Sequence, residues 1–197
     1  ARIIREGGLV VFPTETVYGL GANALDPRAI QRIFRVKGRS RGKALPVLIA
    51  RKQDLRRVAR SIPFGARRLI RRLWPGALTL VLKKRRDLPP LLTGGKDTIA
   101  VRMSNHPVAQ ALVRALRAPL TATSANRSGA TSKRTVFPIL RELGHRKEID
   151  IFLDAGKTAL GIPSTIIDST TTPPTIIRSG AVSTRTIAGI VPGIRSN

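Results

Sequence analysis

Val10-Val11-Phe12-Pro13-Thr14-Glu15-Thr16-Val17-Tyr18-Gly19-Leu20-Gly21 runs from an apolar stretch into a polar turn and leaves it through two glycines. Residues 8–12 read as a buried strand, bounded by Gly7-Gly8 and Pro13. The polar turn Thr14-Glu15-Thr16 follows at the strand's end and leads into the glycines. A helix-length segment comes next. Asp26-Pro27 offers an N-cap and a proline suited to the first helical position, and Ile30, Ile33 and Phe34 share one face. The helix ends near Gly38, which Lys37 and Arg39 flank. A strand, a polar turn and a helix that delivers two cations suit a small polar substrate held beside a phosphate.

Outward from this stretch the pattern keeps alternating. Strands are expected over 45–50, 77–82, 98–102, 120–123, 149–153, 164–167 and 175–177, and helices over 64–73, 107–116 and 135–143. The Thr/Pro-rich segment 170–174 reads as a turn between two strands, and the residues after Ser183 as a short helix or a tail. Alternating strands and helices early, then closely spaced strands, predict the α/β class: a twisted open mixed sheet flanked by helices. No internal repeat breaks the chain, so residues 1–197 read as one domain with its core over about 7–183.

The composition excludes several function classes. No apolar run approaches the ~18 residues of a membrane span. With no cysteine, disulfides, cysteine-ligated zinc and a cysteine nucleophile are ruled out, and the cytoplasm is the expected compartment. Thirty-six basic residues against 11 acidic ones give a net charge of +25. Such an excess points to a nucleic-acid partner, although an arginine-rich solvated surface gives the same count. Arginine outnumbers lysine, which favours bidentate phosphate contacts. Only 4% of residues are aromatic, too few for a base-stacking platform.

Common catalytic patterns are missing. There is no Gly-x-x-x-x-Gly-Lys-Ser/Thr loop and no Gly-x-Gly-x-x-Gly before a helix. His106 precedes Pro107 at a helix start, where a capping or surface role is expected, and His145 is the one other histidine. What remains is a set of hydroxyls and cations at strand ends: Thr98 to Arg102, Thr123-Ser124-Ala125-Asn126 with Ser132 beyond, Ser164-Thr165, and Arg178-Ser179-Gly180. Each alone is ordinary turn chemistry. Together they suggest one polar site at the ends of several strands.

These clusters, with the opening stretch, resemble the YrdC family of threonylcarbamoyl-AMP synthases. The resemblance rests on Phe12 to Gly21, Lys37-x-Arg39, Trp74-Pro75-Gly76-Ala77-Leu78-Thr79, Val101-Arg102, Ser124-Ala125-Asn126, Pro163-Ser164-Thr165 and Arg178-x-Gly180, in family order. It implies an α/β twisted sheet with a basic concave face. It also implies an enzyme that joins L-threonine, bicarbonate and ATP into threonylcarbamoyl-AMP and pyrophosphate, the first step of threonylcarbamoyladenosine formation in tRNA. On that resemblance Thr16, Arg102 and Ser164 bind L-threonine. Lys37, Arg39, Lys43, Thr98, Ser124, Ser132 and Arg178 bind ATP, with Lys37 and Arg39 catalytic through charge neutralisation. Mg2+ comes with the nucleotide and no protein metal site is expected. The implied partners are tRNA or other RNA on the basic surface and a downstream tRNA threonylcarbamoyltransferase complex, with no membrane. The chain ends near the minimal domain and resembles the short, single-domain type.

Several positions depart from the family pattern. Ser40 stands for a usual Pro, Lys43-Ala44 for Asn-Pro, Leu48 for a frequent His near the threonine, Pro163 for a frequent Glu, and Ser179 for Pro. Two other readings remain. One is an RNA-binding relative without synthase activity, supported by the charge. The other is a carbamoyltransferase module of hydrogenase maturation, which normally carries Cys-rich zinc fingers.

Overall fold

The computed structural model describes residues 1–145 and 147–196. Strand β1 (Val10–Phe12) forms a hairpin with β2 (Gly19–Gly21), in the register Phe12↔Gly19 and Val10↔Gly21. The glycines of this hairpin have a steric reason. A Cβ on Gly21 would lie 2.8 Å from the Phe12 ring and 2.9 Å from the carbonyl oxygen of Thr121. The Phe12 ring therefore lies across β2 where a side chain would otherwise stand, and it is fully buried. Propensity alone disfavours a Gly-Leu-Gly strand. Tertiary packing makes it one, which is why the sequence pattern did not reveal it.

Helix α1 (Arg2–Arg5) precedes the hairpin, and α2 (Pro27–Lys37) follows it. The Asp26 side chain accepts from the Arg28 amide at 2.8 Å, and Gly38 ends α2 with φ of 59°, so both caps act as the sequence predicts. Then come β3 (Val47–Leu48), a 3₁₀ helix (Lys52–Arg57), α3 (Phe64–Leu73), β4 (Leu78–Lys83), the single turn α4 (Pro90–Thr93), β5 (Thr98–Arg102) and α5 (Pro107–Leu116). The His106 ring caps α5, its Nδ1 accepting from the Val108 amide at 3.2 Å. The remaining elements are β6 (Leu120–Thr121), β7 (Thr123–Ser124), α6 (Val136–Leu143), β8 (Ile151–Phe152), β9 (Thr165–Asp168), β10 (Thr175–Arg178), α7 (Thr184–Ile190) and β11 (Arg195–Ser196).

The strands form mixed ladders in two sheets, ordered β7-β2-β1-β8 and β11-β10-β9-β4-β5-β3-β6. The stretch 120–124 belongs to both, with Ala122 as the crossing point and Thr121 bonded to Ala22 on the hairpin's outgoing limb. Helices pack on these sheets around a core that includes Leu9, Val11, Tyr18, Ile30, Ile33, Leu69, Leu78, Leu80 and Val101. A second apolar cluster lies between α5 and the strands, with Phe12, Leu48, Leu112 and Leu116. Several strands are shorter than predicted. At 45–50, for example, Leu45 gives its amide to Leu92 of α4 instead of to a neighbouring strand. The short elements α1, α4, the 3₁₀ helix and β11 carry too few periodic residues to be read from the sequence.

Candidate functional site

Period-two alternation builds the site. On β4, Leu78, Leu80 and Leu82 enter the core, while Thr79 and Val81 face the other way. On β5, Ile99 and Val101 enter the core, and Thr98, Ala100 and Arg102 face a cavity. Before and along β9, Ser164, Ile166 and Asp168 take the same side. The cavity has a volume of about 620 Å³, within the ~300–1,000 Å³ usual for small-molecule sites. Its wall carries Arg39, Lys43, Lys96, Arg102 and Arg178 against one carboxylate, Asp168. Five cations to one acid make it a receptor for an anion.

Arg178 reaches this wall through a bulge. Ile176 pairs with Ile167, but Arg178, not Ile177, pairs with Ile166. The extra residue turns the Arg178 side chain onto the cavity face, which simple alternation from buried Ile176 would have denied it. Its Nε and Nη2 donate to the Ser164 carbonyl at 3.1 and 2.7 Å. Ser164 Oγ in turn sits 2.7 Å from the Thr79 hydroxyl.

Arg102 anchors the other end. Its Nε donates to the Gly76 carbonyl at 3.1 Å and its Nη1 to Thr16 Oγ1 at 2.9 Å. Nη2 lies 2.8 Å from Glu15 Oε2, an ion pair buried on both sides. Glu15 also accepts from Ser104 Oγ and from the Asn105 amide. Burial alone would raise the Glu15 carboxyl, but the charge of Arg102 and the hydrogen bonds from Ser104 and Arg102 outweigh it and hold it below its usual range. Thr14 fixes the turn: its hydroxyl donates to the Val17 carbonyl at 2.6 Å and accepts from the Thr16 and Val17 amides. Glu15 and Lys96 lie outside the residues expected at the site. Glu15 stands within the opening motif, but its pairing with Arg102 joins residues 87 positions apart.

Nine of the ten expected site residues line the cavity: Thr16, Arg39, Lys43, Thr98, Arg102, Ser124, Ser132, Ser164 and Arg178. Lys37 stands apart. It is 2% exposed, and its Nζ donates to the carbonyls of Ser124 and Asn126, behind the wall that Ser124 presents. Burial, helped by the charge of Arg39 and opposed by Glu142, pushes its ammonium down to about 7. Arg39 lines the cavity while clipping its own loop, with Nε and Nη2 donating to the Lys43 and Ala44 carbonyls at 3.1 and 2.8 Å. Of the departures from the family pattern, Lys43, Leu48 and Pro163 all lie on the wall.

The family model described as "Telomere recombination" (Sua5/YciO/YrdC) matches residues 2–180. A threonylcarbamoyl-AMP synthase of Pyrococcus abyssi is 44% identical over 195 residues, covering 99% of this chain and 57% of the relative. One of Bacillus subtilis is 39% identical over 192 residues, covering 97% and 55%. The crystal structure of P. abyssi Sua5 complexed with L-threonine superposes with a TM-score of 0.96 at 43% identity, covering 100% of this chain and 57% of that one. The chain thus spans somewhat more than half the length of these relatives. With that likeness over almost its whole length, the chain belongs to the Sua5/YciO/YrdC family.

Proposed function

We propose that this chain carries the threonylcarbamoyl-AMP synthase site: L-threonine, bicarbonate and ATP enter the cavity and threonylcarbamoyl-AMP and pyrophosphate leave it. The observation that carries this reading is Arg102, a buried guanidinium ion-paired with Glu15 and bonded to Thr16, sharing with the linked hydroxyls of Thr79 and Ser164 a cavity rich in cations. A guanidinium held by Glu15, Thr16 and Gly76 is preset for a carboxylate, and charge-assisted contacts of this kind are the strong ones. P. abyssi Sua5 has been solved complexed with L-threonine, which supports threonine as a substrate; Thr16, Arg102 and Ser164 are the residues proposed to hold it here.

ATP would lie along Arg39, Lys43, Thr98, Ser124, Ser132 and Arg178. The threonine amine takes up the carbon of bicarbonate with loss of water, giving a carbamate. A carbamate oxygen attacks the α-phosphorus and pyrophosphate departs. The step needs no covalent nucleophile. Positioning and neutralisation of phosphate charge supply the catalysis, at roughly 3 kcal/mol for a well-placed donor. Arg39 and Lys43 would do this from the wall, and Lys37 would support them by holding the Ser124–Asn126 segment. Among the described residues no group of three or more His, Asp or Glu side chains could hold a metal, so Mg2+ would ride on the phosphates with water as its remaining ligands.

In this reading the product passes to a tRNA threonylcarbamoyltransferase complex, and a basic concave face contacts tRNA or another RNA. Among the described residues no helix is long and apolar enough to cross a membrane, and the cytoplasm is the proposed compartment. The test is pyrophosphate release from ATP. Release that requires both L-threonine and bicarbonate is expected. No release by folded protein refutes the synthase and leaves an RNA-binding family member.

A further inference from the structure

The cavity uses five of the 36 lysines and arginines. Two further clefts lie on the flanks of the 3₁₀ helix Lys52–Arg57, and neither shares a lining residue with the cavity. The first, about 480 Å³, gathers Arg51, Arg57, Arg114 and Arg117 around a single acid, Asp54, over a floor that includes Ile49 and Val113. The second, about 410 Å³, gathers Arg56, Arg60, Arg85 and Arg86 around Asp87. A 3₁₀ helix has about three residues per turn, so adjacent side chains leave it about 120° apart. Arg56 and Arg57 accordingly enter opposite clefts, and the helix is a ridge between them.

Three distant segments are stitched into this face. Arg57 Nη1 donates to the Arg117 carbonyl at 2.6 Å, and Arg85 Nη1 reaches the Arg56 carbonyl at 3.5 Å. Arg117 is the one non-glycine among the described residues with positive φ, at 58°. It ends α5 where glycine is the usual choice, a strained conformation that brings its long side chain to the first cleft. Carboxylates are scarce. Arg51, Arg60 and Arg85 have acids within 4 Å, but among the described residues Arg56, Arg57, Arg86, Arg114 and Arg117 have none.

We propose that this ridge and its two arginine clefts are a docking surface for the phosphodiester backbone of RNA. The inference rests on the RNA-contact part of the reading above but sets the contact on this ridge, outside the cavity; it does not depend on the synthase chemistry. Guanidinium forks match phosphate oxygens, and two clefts along one ridge fit a repeating anion better than a single one. A lipid surface fits poorly, because none of the large exposed apolar residues (Phe64, Phe137 and Ile162 among them) lies in these segments to insert.

The experiment follows the fluorescence anisotropy of a labelled tRNA transcript as salt is raised. The triple variant Arg56→Gln/Arg86→Gln/Arg114→Gln removes three exposed cations with no acid within 4 Å; a control, Arg68→Gln/Arg71→Gln/Arg72→Gln, removes three arginines of α3 that line neither cleft. The ridge variant should bind roughly tenfold or more weaker at 0.1 M salt, and its log–log salt slope should shrink by about 2 to 3, one phosphate per lost arginine. The α3 variant should bind like the parent. Thermal melts confirm that both fold. Unchanged affinity and slope in the ridge variant, or an equal loss in the α3 variant, overturns the proposal. So does displacement of the transcript by AMP, which would make the clefts mononucleotide sites, or by duplex DNA at equal phosphate concentration. Pyrophosphate release is measured separately, so loss of the synthase reading and loss of this one are distinguishable.

Discussion

Replacing Lys37 by methionine separates two effects of a buried ammonium. The side chain is 2% exposed and is held down to about 7, chiefly by burial. In the unfolded chain it takes the ordinary lysine value. Between pH 7 and 9 the unfolded state therefore keeps a proton that the native state sheds, so native stability rises with pH through this window. Native Lys37 is half protonated at the start and about 1% protonated at the end. Integrating that difference at 1.36 kcal/mol per unit gives a gain of about 2 kcal/mol from pH 7 to pH 9. Methionine cannot contribute it. Methionine also leaves the Ser124 and Asn126 carbonyls without their donor, at about 1–3 kcal/mol each. The variant should be less stable than the parent at pH 9, and the gap should narrow by about 2 kcal/mol at pH 7. Chemical denaturation of both proteins across this range measures the difference. Every other titrating group is present in both proteins, and burial keeps the Tyr18 hydroxyl above its usual range. Their contributions cancel between parent and variant. Curves that stay parallel from pH 7 to 9 would refute the buried, proton-shedding lysine. Saturating ATP adds a second reading: if Lys37 turns to a phosphate when nucleotide binds, the pH-dependent part of the gap shrinks.

Arg102→Ala removes the proposed carboxylate anchor and strips Glu15 of its cation. The KM for L-threonine should rise at least tenfold, about 1.4 kcal/mol or more, with little change in the KM for ATP; equal changes in both would refute the assignment. Arg39→Ala should do the reverse, lowering turnover by about two orders of magnitude through the loss of phosphate neutralisation and of the clip on the Lys43–Ala44 loop, as steady-state kinetics would measure. Gly21→Ala forces a methyl against the Phe12 ring and the Thr121 carbonyl and should cost about 2 kcal/mol, or roughly 4–8 °C in Tm by calorimetry. Below pH 7 the wild-type protein should lose no further stability through Lys37 once it is fully protonated in both states, so the slope from this group flattens near pH 6.

Much of the fold was legible because local chemistry and tertiary structure agree. Asp26, Pro27 and Gly38 cap α2 by rules that need only neighbouring residues. The alternation of 78–82 and 98–102 already separates a leucine- and valine-rich face from one with threonines and Arg102, and the structure puts the first on the core and the second on the cavity. That alternation accounts for Thr98 and Arg102 on the cavity wall; Arg39, Lys43 and Ser132 stand on loops outside the strands, and they were expected there from the family resemblance rather than from periodicity. The tertiary structure decided what depends on partners far along the chain. It turned Lys37 away from the cavity, because carbonyls 87 and 89 residues on accept its ammonium. It paired Glu15 with Arg102, and it made a strand of Gly-Leu-Gly by laying Phe12 across it. It also set Arg178 on the cavity face by a one-residue slip against β9, where alternation alone points it to the core. Periodicity fixes which residues share a face. Register and long-range hydrogen bonds fix what that face meets, and those are properties of the packed chain.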